Sequence, residues 1–293
     1  MVAAAANLVL DQVLAERLAS VLERLETLLP RVPKSPDWEG CRAFRWRRQP
    51  YGYLQSVSHP HRLRLADLRC IDRQKGVLKL NVHQFLAGRP YNNVLLWGAR
   101  GTGKSSLIKA LLNEYADQGL RLIEVDKHDL LDLPEIVDPL YERPERFLLY
   151  CDDLSFEADD PSYKALKAML DGSISAAPPN VLLCATSNRR HLLPEYMREN
   201  QASRLIEGEL HHGEAVEEKI SLSERFGLWL SFHPFSQDDY LTIVAYWLEQ
   251  LSGSGGLDEA VREEALRWAL QRGSRSGRVA WQFARDWVGR QGL

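Results

Sequence analysis

Residues 93–119, NVLLWGARGTGKSSLIKALLNEYADQG, constrain this chain more than any other stretch. Apolar residues of strand character run into a turn with glycines at 98, 101 and 103, and the turn opens directly into apolar residues at helical spacing. The alternation continues downstream. LRLIEVD (120–126) reads as a strand, DLPEIVDPLYE (132–142) as a helix and RFLLYCD (146–152) as a strand. PSYKALKAMLDG (161–172) reads as a helix with Pro161 in its first turn and Gly172 past its end, and NVLLCATSN (180–188) as a further strand. Strands this apolar, separated by helices, predict an α/β fold with a parallel sheet covered on both faces.

Beyond Leu228 the pattern turns helical, over 237–251, 257–271 and 276–290, with SGSGG (252–256) as a turn. Three parts are expected: an N-terminal helix with a basic, aromatic extension (1–64), an α/β core (65–235) and a small helical lid (236–293). The first part begins with a helix over 3–29, whose Leu8, Leu14, Leu18, Val21, Leu22, Leu25, Leu28 and Leu29 form a stripe that Pro30 ends. Such a stripe needs a partner surface, which its own domain is expected to supply. The start of the chain lacks a basic segment ahead of its apolar run and carries Asp11 and Glu16, so it reads as helix rather than secretion signal.

At 45% hydrophobic and 26% charged, the chain matches a water-soluble globular composition, and its net charge of −3 decides nothing about nucleic acid. Cys41, Cys70, Cys151 and Cys184 lack metal-site spacing; Cys151 and Cys184 lie in apolar runs and read as buried free thiols, which fits a cytoplasmic location. No stretch reaches the roughly 18 apolar residues of a membrane span. From Arg42 to Lys75 there are nine Lys or Arg and two acidic residues, interleaved with Phe44, Trp46, Tyr51 and Tyr53. Cations with aromatic faces suit nucleic-acid phosphates and bases. An amphipathic hairpin with buried aromatics explains the same pattern and is favoured, so nucleic acid stays a possible but not a favoured partner.

Gly98–Ser105 is a complete G-x-x-x-x-G-K-S motif between a strand and a helix. Gly98, Ala99, Arg100, Gly101, Thr102 and Gly103 form a loop whose backbone N–H groups can point at phosphate oxygens, and the helix N-terminus adds positive potential. Lys104 is expected to reach the β and γ phosphates and Ser105 to ligate Mg²⁺, with Ser106 in the same first turn. RFLLYCDD ends a second buried strand on Asp152 and Asp153. In a parallel sheet the strand C-termini converge, so Asp152 would hold Mg²⁺ and Asp153 would polarise the attacking water, unless Asp153 only caps the next segment. ATSN (185–188) ends a third strand and offers Thr186, Ser187 and Asn188 to the γ-phosphate or the water.

These motifs, in this order, resemble the AAA+ ATPases: GARGTGKS as Walker A, LLYCDD as Walker B and ATSN as sensor 1. SLSERFGLWLSF (221–232) resembles box VII, which implies that Arg225 is an arginine finger for a neighbouring subunit. GSRSGRVAWQF (273–283) resembles sensor 2, which implies that Arg278, or alternatively Arg275, contacts phosphate in the same chain. LADLRCIDRQKGVLKLNVHQFLAG (65–88) resembles the segment bordering adenine, which would place Leu68, Ile71 and Lys75 near the base; a packing helix is the alternative. The resemblance covers about 70–290 and is narrower still to a bacterial AAA+ family catalogued as a domain of unknown function.

The resemblance implies an ATPase using ATP and Mg²⁺, active as a ring or spiral homo-oligomer on an unidentified protein client. The alternative is a slow-turnover ATP-binding switch or loader. Asp153 favours the alternative, because the family places a longer Glu there, whereas Asn188 and Arg225 favour catalysis. The pair His211 and His212 has no further ligand at metal-site spacing and reads as solvated.

Overall fold

A computed structural model describes residues 14–15, 17–24, 35–49, 51–156, 160–171, 178–190, 192, 204–206, 209–211, 222–253 and 256–291. The central sheet has the order β2-β1-β4-β5-β6-β3-β9. Its strands are β1 (Ala43–Arg47), β2 (Tyr53–Ser56), β3 (Val94–Gly98), β4 (Leu120–Glu124), β5 (Arg146–Cys151), β6 (Val181–Ser187) and β9 (Leu228–Phe232). Every neighbouring pair is parallel except β1 with the edge strand β2. A separate hairpin pairs β7 (Arg204–Ile206) with β8 (Glu209–His211).

The helices are α1 (Asp72–Leu86), α2 (Lys104–Tyr115), the short α3 (Leu133–Val137), α4 (Pro161–Asp171), α5 (Gln237–Ser252), α6 (Glu259–Gln271) and α7 (Gly277–Gln291). The helix expected over 132–142 is broken: a 3-10 turn precedes α3 and a second one, Asp138–Leu140, follows it. Pro139 lacks the N–H that would continue α3. Ser236 and Asp258 start α5 and α6 by accepting the N–H of Asp239 and Val261 through their side chains.

The two faces of the sheet bury different cores. Alternate residues of β5 show it: Leu148 and Tyr150 pack with α2, α1 and the C-terminal helices, while Phe147, Leu149 and Cys151 pack with α3, α4 and the β1 aromatics. The C-terminal helices share the first of these cores through Tyr240, Val261, Ala280 and Phe283.

Two further stretches depart from expectation, and a third, the basic, aromatic extension, forms the favoured hairpin. β9 is an additional strand: LWLSF lies where the pattern turns helical, yet it pairs with β3 along its whole length. Gly98 makes that pairing close, since a Cβ there would lie 2.0 Å from the Phe232 carbonyl oxygen. The basic, aromatic extension supplies β1 and β2 to the same sheet as the core strands. Phe44 and Trp46 are buried, Arg45 pairs with Glu124 at 2.5 Å and Arg48 with Asp132 at 3.6 Å, the arrangement of an amphipathic hairpin. Finally, residues 14–15 and 17–24 are helical, but Leu14, Leu18, Val21 and Leu22 are exposed rather than packed on the chain's own core. Leu8, Leu25, Leu28, Leu29, Pro30, Gly172 and His212 lie outside the described residues.

Candidate active site

The C-terminal ends of β3, β5 and β6 meet beneath the N-terminus of α2, at one end of a cleft of about 860 Å³ between the sheet and helices α5 and α7. The loop after β3 curls through positive φ at Gly98, Gly101 and Gly103 before α2 begins. At Gly101 the curl also makes room for a neighbour: a Cβ would meet Ser276 Oγ at 2.8 Å, and the Gly277 N–H, at the start of α7, donates to the Gly101 carbonyl at 2.9 Å. Helix α7 is thereby docked on the glycine loop.

Lys104 is buried at the floor of the cleft. Its Nζ donates to the carbonyls of Gly98 (2.8 Å) and Ala99 (2.7 Å) and to Asn188 Oδ1 (3.2 Å). Burial lowers its pKa; the carboxylates of Asp153 and Asp152 oppose that shift, and Arg100 and Arg278 add to it. Asn188 then donates through Nδ2 to Asp153 Oδ1. Asp152 Oδ1 accepts from Ser105 Oγ (2.7 Å), Thr186 Oγ1 (2.5 Å) and the Asp153 N–H (3.1 Å). Burial would raise the Asp152 pKa, but the Thr186 and Ser105 hydroxyls, with that of Tyr150 nearby, outweigh it and hold the carboxyl below its ordinary range.

Asp153 has φ +49, a left-handed conformation. Asp and Asn adopt this region more readily than other residues with a Cβ. The backbone therefore gives a local reason for the shorter acid at this position. The turn also aims the Asp153 N–H at Thr186 Oγ1, 2.9 Å away.

The expected residues separate into those in the cleft and those outside it. Arg100 through Ser106, Asp152, Asp153, Asn188, Leu68, Ile71 and Arg278 line the cleft, while Gly98 and Ala99 serve it through the carbonyls that hold Lys104. Of the two sensor arginines considered, Arg278 lines the cleft and Arg275 does not. Lys75 does not line the cleft: its Nζ donates to the Leu68 carbonyl (2.7 Å) and pairs with Asp72 (2.7 Å), which ties α1 to the segment before it. Arg225 lies outside its own cleft and forms an ion pair with Asp171 at the end of α4.

Sequence reasoning missed Trp247 of α5 and Trp281 of α7. Their rings meet at 4.5 Å between centroids and line the cleft, as do Leu68 and Ile71. It also missed Tyr150, whose hydroxyl is buried beside Asp152. Burial and the Asp152 charge push that phenol far above its usual range, so it stays protonated. The pattern of β5 marks Tyr150 as core, and only the fold shows what its hydroxyl faces.

The family described as "Protein of unknown function (DUF815)" matches residues 39–291. The chain belongs to this family. Among solved structures, this DUF815 protein is similar to the Aeropyrum pernix ORC1 protein in complex with DNA, with a TM-score of 0.52, 16% identity, and 77% of this chain and 62% of that chain covered. It is also similar to a single-residue variant of Thermotoga maritima RuvB, with a TM-score of 0.50, 15% identity, and 79% and 67% of the two chains covered. The Thermotoga maritima RuvB Holliday junction branch migration motor aligns at a TM-score of 0.48 and 16% identity, covering 76% of this chain. This chain spans 63% of that motor's length. No curated protein matches it significantly. The mostly parallel sheet with flanking helices, followed by a helical region, matches the AAA+ P-loop fold. Among the described residues no helix is long and apolar enough to cross a membrane.

Proposed function

We propose that the cleft binds ATP with Mg²⁺ and that this DUF815 protein hydrolyses it. The observation that carries the reading is one connected chain of hydrogen bonds from Lys104 through Asn188 to Asp153, beside the Ser105–Asp152 pair. Lys104 offers its charge to the phosphates. Asp153 polarises the attacking water, and the amide of Asn188 orients its carboxylate. Arg100 and Arg278 add positive charge around the triphosphate. At the other end, Leu68, Ile71, Trp247 and Trp281 form an apolar and aromatic wall suited to a base.

The residues present fit the metal. Ser105 Oγ and Asp152 are hard oxygen donors side by side, and the hydrogen bonds to Asp152 among the described residues all fall on Oδ1, leaving Oδ2 for a further contact. Mg²⁺ takes few protein ligands and completes its shell with water and phosphate oxygens. When bound, it would neutralise charge on the phosphate oxygens.

The position of Arg225 outside its own cleft supports a role toward a neighbouring subunit, and with it a ring or spiral oligomer. In this reading residues 236–293 act as a lid whose docking on the glycine loop transmits the nucleotide state to a protein client in the cytoplasm. The core would include β1 and β2, because they extend its sheet. Burial of Phe44 and Trp46 disfavours base stacking at the basic segment, so nucleic acid remains the lesser choice of client.

Phosphate release measured over a series of protein concentrations tests this. Turnover per subunit should rise with concentration and collapse in Arg225→Ala while ATP binding survives. ATP binding without turnover at any concentration would leave the second reading, a slow switch or loader, which the short Asp153 side chain favours. An ATP affinity unchanged by Lys104→Ala would defeat both.

A further inference from the structure

The hydroxyl of Tyr150 has no role in packing and none in the mechanism above. We propose that Tyr150 is a positioning residue for Mg²⁺: its hydroxyl, beside the Ser105, Asp152 and Thr186 oxygens, has one proton to give to the Asp152 carboxylate, and giving it orients that carboxylate toward the cation. The inference rests on the proposed ATP–Mg²⁺ site and deepens it.

Three observations carry it. First, Tyr150 lies in the last two residues of β5 on the sheet face covered by α2, and Asp152, just beyond the strand, bonds Ser105 of that helix. Second, the residue is fully buried, and its oxygen has no well-aligned hydrogen-bond partner among the described residues. Phe would fill the same space without taking a hydroxyl out of water. Other buried tyrosines of the chain place theirs: Tyr240 donates to the Ala265 carbonyl at 3.1 Å and Tyr246 to Asp67 at 2.6 Å. Third, the groups beside the Tyr150 oxygen are Ser105, Asp152 and Thr186. These are the two proposed metal ligands and the hydroxyl that already bonds one of them. An unpaired buried donor is unfavourable to keep, and this one lies beside the oxygens whose bonding must change when a cation arrives. The donor acts on the ligands and not on the metal, so its loss should be felt as a weaker hold on the metal rather than as lost nucleotide contacts.

The experiment is a Mg²⁺ titration of ATP binding by calorimetry, with ATP binding in EDTA as the metal-free reference. Wild type, Tyr150→Phe, Tyr240→Phe and Asp152→Asn are compared, with thermal midpoints to verify folding. Tyr150→Phe removes one oxygen and no packing, so it should fold. Its half-saturating Mg²⁺ should rise about tenfold, the scale of one hydrogen bond to a charged group. Metal-free ATP affinity should stay unchanged, and Tyr240→Phe should show no shift. If Asp152→Asn raises half-saturating Mg²⁺ and Tyr150→Phe does not, the site reading stands and the Tyr150 inference fails. If Tyr150→Phe weakens metal-free and Mg²⁺-dependent binding equally, the hydroxyl acts through packing and the inference fails. If neither substitution matters, the metal site itself has been misassigned and both readings fall.

Discussion

The two ends of the cleft are built on opposite principles. The phosphate end is polar and bonded throughout: Lys104, Asn188, Asp153, Asp152, Ser105 and Thr186 form one network, with Lys104 and Thr186 buried and the two aspartates open to solvent. It comes from three strand ends that the parallel sheet brings side by side. The base end is apolar and is assembled from segments far apart in the chain, Leu68 and Ile71 before the sheet core, and Ile243, Trp247 and Trp281 in helices at its far end. The first is a corner formed by adjacent strand ends of one sheet. The second exists only while two parts of the chain stay together. Under the proposed function, chemistry belongs to the bonded corner and sensing of the nucleotide to the jointed wall.

The sharpest way to break this comparison is Asp153→Asn. Phosphate release should fall by about 10²–10⁴-fold, the usual contribution of general base catalysis, while ATP binding is retained. Unchanged turnover would mean that the wrong acid has been assigned. Next comes Lys104→Ala, which should weaken both ATP and tripolyphosphate by about 100-fold, since it removes charge-assisted bonds to phosphate. Trp247→Ala or Trp281→Ala should weaken ATP by about tenfold through lost stacking and leave tripolyphosphate almost untouched. Equal losses for the two probes would erase the distinction between the ends.

The smallest effect concerns the joint itself. Tyr246 of α5 donates to Asp67, which also pairs with Arg64 at 2.8 Å, and this links the segment before α1 to the C-terminal helices. Burial would raise the Asp67 pKa, but the bonds from Arg64 and Tyr246 outweigh it, and the carboxyl lies below its usual range. A depressed carboxylate contributes stability that is fully present above its unfolded pKa, about 3.9, and is lost as pH falls through the lower folded value. Asp67→Asn should therefore have a lower thermal midpoint than wild type at neutral pH, and the gap should close on acidification below about pH 4. A gap independent of pH would mean that Asp67 acts by shape alone.

Much of the phosphate end is legible in the sequence because each of its parts is local. Gly98–Ser105 needs its residue types at fixed spacing, and Asp152 and Asn188 each end an apolar run. Thr186 is recognisable as polar at a strand tip, although its bond to Asp152 is not. The base end is only half legible. Ile71 and Leu68 are placed there by resemblance, and Lys75 is misplaced, since one helix turn separates a residue facing the cleft from one facing α1's own start. Trp247 and Trp281 give no sign, because a tryptophan in an amphipathic helix reads the same whether it meets a core or a cavity. β9 is hidden for a related reason: LWLSF is short, and periodicity over five residues does not separate strand from helix.

The sequence by itself determined the α/β alternation, the glycine turn and the identities of the lysine, serine, acids and amide at the strand tips, because these depend on residues within a few positions of one another. Tertiary structure decided the rest. It gave Asp153 a left-handed backbone that favours the shorter acid, placed Arg225 on Asp171 outside its own cleft, set Tyr150's hydroxyl beside Asp152 and lined the cleft with two tryptophans. Each of these depends on which surfaces the packed core brings into contact, and no local pattern records that.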